Sequence, residues 1–501
     1  MPAPAPRLAL AVAAAVAAAG VGWRLTDLRE WPFPFHPSVQ YEAALAARSL
    51  WVAADPAART PDRDAWFDAV RHEHVISPPV LSAAVAAWYA AAGEEQPWAA
   101  KLFTAAAWVA ACAFVGAAVG RQTGCRWAAV AAGGWLTFAP FGLMVCRSFC
   151  TEPVAVLGLA VAVWVLARPG RQLTWRETLA AGLACGLAAA TKPGVLLPPV
   201  AAGFAGALLS AGVAGSLTRK AVHTVAFAAL LAAPSVLWVV VWLPHRGSEL
   251  RPGLLADPAF YAAVADLVHR VVGWPALALG LAGAAVAARR RQFLPAGLFA
   301  GYVGYVGLFT YHSATHDYYH VLLLVPAALG MGWVTAGLVR VVGTNREPLL
   351  ALAVAGGLAG YAYGSRLPFV GPWRANPAVR AALADAADRD RERAARYAAV
   401  RAAVGPGAWV VAVTEEYGGP LEFAAGVKVA AWPRADDEAA LGRAPAPADG
   451  RLDAMAALGY GFLVVTDRAE FDRTPDLRAA AERRGKPVPA DAGVLVYDLR
   501  R

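Results

Sequence analysis

Tyr311-His312-Ser313-Ala314-Thr315-His316-Asp317-Tyr318-Tyr319-His320 lies between two long apolar runs, Phe293–Thr310 and Val321–Val342. One carboxylate, three histidines and three tyrosines therefore sit in a segment whose flanks suit hydrocarbon. Ionisable groups near membrane depth are costly, so they mark a site or a pathway. Working outward from this stretch, the other polar islands of the chain read as groups that come to meet it.

Composition agrees with a membrane setting. Of 501 residues, 58% are hydrophobic, and the mean hydropathy is +0.45, beyond what ordinary soluble domains show. The net charge of +9 does not indicate nucleic acid. The basic residues fall in short loops between apolar spans, where cytoplasmic anchors lie. Cys112, Cys125, Cys146, Cys150 and Cys185 are odd in number and lie mostly in apolar runs. They read as small packing residues, not as a disulfide or metal framework.

Taken in order, Leu8–Trp23 follows Arg7 and is expected to be an uncleaved first helix rather than a signal peptide, because many spans follow. Arg24–Ser77 is too polar to cross a bilayer. Pro78–Ala92 is apolar but short and carries Trp88-Tyr89, as suits a helix lying at the membrane surface. The later spans are Trp98–Val119, Trp127–Val145, Val154–Leu166, Thr178–Ala190, Gly194–Leu209, Ala221–Leu243, Val271–Ala288, Phe293–Thr310, Val321–Val342 and Leu349–Tyr363. With the first helix they make about eleven, several of them near the lower length limit for crossing.

A cytoplasmic N-terminus then places Arg121 and Arg126; Arg168, Arg171 and Arg176; Arg219 and Lys220; Arg289, Arg290 and Arg291; and Arg340 and Arg346 on one side, the positive-inside pattern. The same alternation puts five polar islands outside: Phe35–Tyr41, Arg71–Pro79, Arg147–Pro153, Thr191-Lys192-Pro193 and Tyr311–His320. An odd number of spans puts the C-terminal region outside as well.

That region changes character near Asn376. Asn376–Val404 reads as a charged amphipathic helix. Trp409–Val413, Phe462–Thr466 and Val494–Tyr497 read as strands, alternating with helical stretches near Leu452–Leu458 and Pro475–Arg484. Such alternation predicts a small α/β domain. No glycine-rich phosphate loop follows a strand, so a nucleotide site is unsupported. The expected fold is mainly α. It is a polytopic membrane domain over residues 1–370, with a first outer loop at 24–97 that includes the surface helix, followed by a soluble extracytoplasmic α/β domain over 371–501.

Each outer island has a chemical reading and a plain one. Phe35-His36-Pro37-Ser38-Val39-Gln40-Tyr41-Glu42 reads as a polar wall or as an ordinary capped helix start. Glu73, in Arg71-His72-Glu73-His74, is the best isolated carboxylate for a base, or a solvated loop charge. His72, Glu73 and His74 are adjacent and form no ready chelate. In Arg147-Ser148-Phe149-Cys150-Thr151-Glu152-Pro153 the two charges neutralise each other, or Glu152 serves chemistry. Its place at a helix start also has a dipole explanation. Lys192 holds a phosphate or snorkels. His312, His316 and His320 are four apart, so a continuous helix aligns them for a metal or as an anion-gripping wall. A carboxylate set and a cationic set on one face suggest a reaction. The acid removes a proton from an acceptor hydroxyl, and the cations stabilise a departing phosphate carried by a lipid.

The order of these islands resembles the GT-C membrane glycosyltransferases. A polar first outer loop is followed by a Glu-containing segment ending in Pro-Pro and by a Trp-Tyr helix. Arg-Ser-x-x-x-Glu-Pro, Thr-Lys-Pro and His-Asp-Tyr-Tyr come next. Within that superfamily the chain looks most like bacterial relatives of the protein O-mannosyltransferases and the lipid A aminoarabinose transferase, over roughly residues 5–365. The resemblance implies a hexosyl or pentosyl transfer, usually inverting, from a polyprenyl-phosphate-linked sugar to an acceptor hydroxyl at the outer face of the bacterial plasma membrane. The acceptor class stays open among lipid, protein and glycan. It places Glu73 and Glu152 at acidic active-site positions. Arg147, Lys192, His316, Asp317, Tyr318 and Tyr319 fall on the donor phosphate, and His36, Gln40, Tyr41 and Glu42 in the first-loop wall. Many members carry an Asp early in that loop where this chain reads His36-Pro37-Ser38, so Glu73 or Glu152 takes the base role or the chain is inactive. The sequence requires no divalent metal and identifies none. A transporter or flippase of a lipid-linked glycan, and a non-catalytic scaffold, remain the alternatives. A transporter calls for charges at the midplane and repeated halves, whereas these islands gather at one face.

Overall fold

The computed structural model describes residues 5–26, 28–29, 35–55, 60, 63, 65, 67, 79–167, 174–192, 196–210, 217–242, 251–342, 346, 349–350, 352–354, 356–357, 360, 377–436 and 447–500. They fall into two compact units. One comprises Met1–Glu30, His74–Leu81 and Ala100–Trp373, the other Trp31–Glu73, Ser82–Ala99 and Arg374–Arg501.

The first unit is a helical assembly punctuated by proline. Pro140, Pro153, Pro258, Pro275 and Pro295 each stand in the first turn of a helix, where a missing N–H costs nothing and φ is already set. Several of the helices are short. Glu152–Leu166, Leu197–Ser210 and Leu294–Leu308 have 15, 14 and 15 residues. At 1.5 Å per residue that is about 22 Å, short of a hydrocarbon core of about 30 Å. Among the described residues three helices are long and apolar enough to cross a membrane: Arg7–Leu25, Pro97–Thr123 and Asp317–Val342. Pro258–Val271 and Trp274–Arg289 make a fourth only if taken as one span bent by 90°. The bend falls at Gly273, whose φ of 79° suits glycine and breaks the helix. The structure therefore supports a polytopic helical chain but not eleven full-length spans. Among the described residues several apolar runs fold into helices shorter than the bilayer, and part of the span expected at Leu349–Tyr363 lies outside the described residues.

Packing in this unit relies on small residues. Gly283, on the helix Trp274–Arg289, and Gly330, on Leu324–Val342, meet backbone to backbone, and a Cβ on Gly283 would fall on the Gly330 backbone. Close approach of this kind is how helices associate where burial from water supplies no drive.

The second unit holds a five-stranded sheet in the order β2-β1-β3-β5-β4. β1 is Trp409–Val413, β2 Lys428–Ala431, β3 Phe462–Val465, β4 Lys486–Val488 and β5 Leu495–Asp498. β1 runs parallel to both β2 and β3, and β5 runs antiparallel to β3 and β4. Side-chain alternation along β1 and β3 builds two cores. Val410, Ala412, Phe462 and Val464 pack with Tyr397 and Val400 of the helix Pro377–Val404 and with Leu421 of Gly419–Ala425. Val411, Val413, Leu463 and Val465 pack with Leu452 of Ala448–Ala457 and with Leu477, Ala480 and Ala481 of Pro475–Arg484. The result is helix, sheet and helix in three layers. The strands expected at 409, 462 and 494 are present to within a residue or two. β2 and β4 were not expected.

The first-loop helix Pro37–Ala54 also belongs to this unit. It lies against Gly419–Ala425, where the Arg48 guanidinium sits 3.8 Å from the centre of the Phe423 ring.

Candidate functional site

Two helices of the first unit, Glu152–Leu166 and Trp175–Thr191, follow one another and pack together. The start of one and the end of the next therefore come to the same place. Glu152 occupies the first turn of the former. Lys192 is the C-cap of the latter, its N–H bonded to the Ala189 carbonyl at 3.1 Å. Each charge matches its helix dipole, an anion at an N-terminus and a cation at a C-terminus. The hairpin joins them: Lys192 Nζ donates to Glu152 Oε1. The carboxylate is 1% exposed and the lysine side chain 14%.

Beside this pair, the opening stretch does not run as one helix. Thr310–Thr315 is helical, His316 is extended at φ −131° and ψ 116°, and Asp317–Leu323 winds as a 3-10 helix. Thr315 Oγ1 meets the Tyr311 carbonyl at 2.7 Å and His316 Nδ1 at 2.6 Å, a local alternative to continuing the helix. The break turns Tyr318 and Tyr319 onto the lysine. Lys192 Nζ lies 4.2 Å from the centre of the Tyr318 ring and 4.1 Å from that of Tyr319. Rings at this range attract an ammonium without demanding its protons. His316 and His312 complete an aromatic wall against Tyr318 and Tyr319, with centroids between 4.8 and 5.6 Å.

The break also undoes the expected histidine row. His320 turns inward, fully buried, against Tyr302 Oη and with Nε2 2.9 Å from the Ser313 carbonyl. His312 and His316 remain neighbours at 5.8 Å. Among the described residues no three His, Cys, Asp or Glu are placed to hold a metal.

The remaining singled-out residues separate into three groups. Arg147 is fully buried and donates to the Thr26 carbonyl at 3.1 Å. Asp317 opens the 3-10 helix at half-burial. In the second unit, Gln40 is buried with its amide on the Phe35 carbonyl at 2.7 Å, Tyr41 packs on Phe423, His36 is half-buried and Glu42 is exposed. Glu73, with the rest of Arg71–Pro78, lies outside the described residues.

Two features were not read from the sequence. Arg251 sits 5.1 Å from the centre of the Tyr311 ring, and its carbonyl accepts from Thr310 Oγ1 at 2.8 Å. The wall thus carries a cation at each end. Its only signal was an arginine before proline opening a short helix. The second is that Glu152 Oε2 is buried and, among the described residues, accepts no hydrogen bond. A buried carboxylate oxygen left open is expensive.

Residues 77–238 match the family model of dolichyl-phosphate-mannose-protein mannosyltransferases. No curated protein sequence matches. Among solved structures, ArnT from Cupriavidus metallidurans bound to undecaprenyl phosphate superposes with a TM-score of 0.56 at 15% identity, over 98% of this chain and 97% of that one. Its apo form gives 0.53 at 16% identity, with the same coverage. The Archaeoglobus fulgidus oligosaccharyltransferase in complex with Zn and sulfate gives 0.51 at 15% identity, over 96% of this chain and 73% of that one. The chain shares the fold of these solved structures.

Proposed function

We propose that the chain is a membrane glycosyltransferase that moves a sugar from a polyprenyl-phosphate donor to an acceptor hydroxyl, with inversion, at the outer face of a bacterial plasma membrane. The observation that carries the reading is the buried Glu152, bridged to Lys192 through one oxygen and open at the other. The GT-C fold and the undecaprenyl phosphate bound by ArnT support a lipid-linked donor.

In the resting chain the two charges neutralise each other. A donor phosphate competes for Lys192, with Tyr318, Tyr319, His316 and Arg251 around it and Arg147 on the same side of the reaction. The carboxylate, released from the lysine, takes the acceptor proton. The acceptor oxygen then bonds to the anomeric carbon, and the bond from that carbon to the phosphate oxygen breaks. The electron pair leaves on the lipid phosphate, where the cations hold it. Glu73 stands as a second acid, and His36, Gln40, Tyr41 and Glu42 as the acceptor-side wall. The N-terminus is placed in the cytoplasm and the C-terminal domain outside.

Membranes carrying the full chain are given polyprenyl-phosphate sugars with a radiolabel. Wild type transfers label, and Glu152→Gln slows transfer by on the order of 10²–10⁴ with normal insertion. Transfer by Glu152→Gln at the wild-type rate would overturn the assignment.

A further inference from the structure

The first-loop helix Pro37–Ala54 has an N-terminus that its own sequence does not cap. His36 stands at the N-cap in the left-handed region, φ 46° and ψ 63°, and its side chain makes no capping bond. Pro37 has no N–H, so Ser38 provides the first amide needing an acceptor. That acceptor comes from far along the chain: Glu416 Oε2 lies 3.3 Å from the Ser38 nitrogen. A carboxylate on an amide of the first turn is what a cap supplies, and it meets the positive end of the helix dipole.

Glu416 reaches this position at a cost. Glu416 and Tyr417 have φ of 51° and 53°, a conformation that side chains disfavour. With His36, three of the five described non-glycine residues of positive φ meet at this joint. Backbone strain collected on both sides of one contact persists only where the surroundings hold it, and it gathers at places of use. The next turn along repeats the clasp. Tyr41 packs edge-on to Phe423 at 5.5 Å. Arg48 lies over the Phe423 ring, donates to the Phe423 carbonyl at 2.8 Å and grips Glu95 at 2.9 and 3.1 Å.

We infer that Glu416 is a positioning residue: the C-terminal domain supplies the missing cap of the first-loop helix and so fixes His36, Gln40 and Tyr41 for transfer. The inference rests on the transferase reading for its functional half and on the geometry above for its structural half.

The full chain is measured two ways, by amide hydrogen exchange and by transfer kinetics. Glu416→Ala is expected to speed exchange at residues 38–41 by on the order of tenfold, while β1 and β3 keep their protection. It is expected to lower kcat several-fold with KM for the donor unchanged. Glu416→Gln, which keeps an acceptor oxygen, retains most of both. Unchanged exchange at 38–41 in Glu416→Ala overturns the cap. Faster exchange with unchanged kcat overturns the positioning role and leaves the transferase reading standing. Absence of transfer by wild type sinks that reading together with this role, while exchange still decides the cap.

Discussion

Two ionic groupings of this molecule use pairs of opposite charge to different ends. In the first unit, Lys192 and Glu152 form a pair 14% and 1% exposed. In the second, Asp449 and Asp453 hold Arg483 and Arg484 on neighbouring helices, with Asp449 44% and Asp453 61% exposed. The exposed cluster trades bonds with water for bonds with protein at little net gain. The buried pair has no such exchange available. Each partner is tolerable only because of the other, and a ligand that draws one away changes the state of the second.

The largest expected difference between these groupings lies in removing one partner. Lys192→Met strands the Glu152 charge and should cost about 3–5 kcal/mol, read as a lowered thermal midpoint of the full chain in detergent. Lys192→Met with Glu152→Met together should recover most of that loss. If the double variant is as unstable as the single, the two charges do not depend on each other as described.

The smallest effect should come from the exposed cluster. Hydrogen bonds from Arg483 and then Arg484 hold the Asp449 carboxyl below its ordinary range. A depressed carboxylate contributes stability above its unfolded value, near 3.8, and loses it as pH falls through the folded one. Asp449→Asn should therefore lower the midpoint only slightly at neutral pH, and the difference from wild type should close as pH falls below about 4. A large loss at pH 7 would show that this cluster is no ordinary surface network.

The sequence made the class of fold legible through the apolar runs and the change of character near Asn376. Its span count is not confirmed among the described residues, because hydropathy records apolar length, whereas proline and glycine set where helices begin and break. Gly273 breaks the expected Val271–Ala288 run with a 90° bend, while Pro153 and Pro295 set helix starts. In the C-terminal domain the buried strands β1 and β3 announced themselves with Val410-Val411 and Leu463-Val464. β2 is four half-buried residues at an edge, and β4 is three residues with Pro487 among them, so neither shows the run of large apolar residues of a central strand.

At the site, Glu152 and Lys192 were each visible as charges at helix ends. Their union, 40 residues apart, depends on the packing of two consecutive helices, which no local pattern states. The histidine row at 312, 316 and 320 was legible only on the assumption of an unbroken helix, and the turn at His316 removes it. Glu416 lies 378 residues from the amide it caps, beyond any reading of spacing.

The central claim is that Lys192 changes partner, from the Glu152 carboxylate to a phosphate. Binding of polyprenyl phosphate to the purified full chain, followed by native mass spectrometry, tests it directly. The account predicts that Lys192→Gln loses the lipid phosphate while Glu152→Gln, with its lysine released, binds it at least as tightly as wild type. Loss of binding in Glu152→Gln, or full binding in Lys192→Gln, would contradict it.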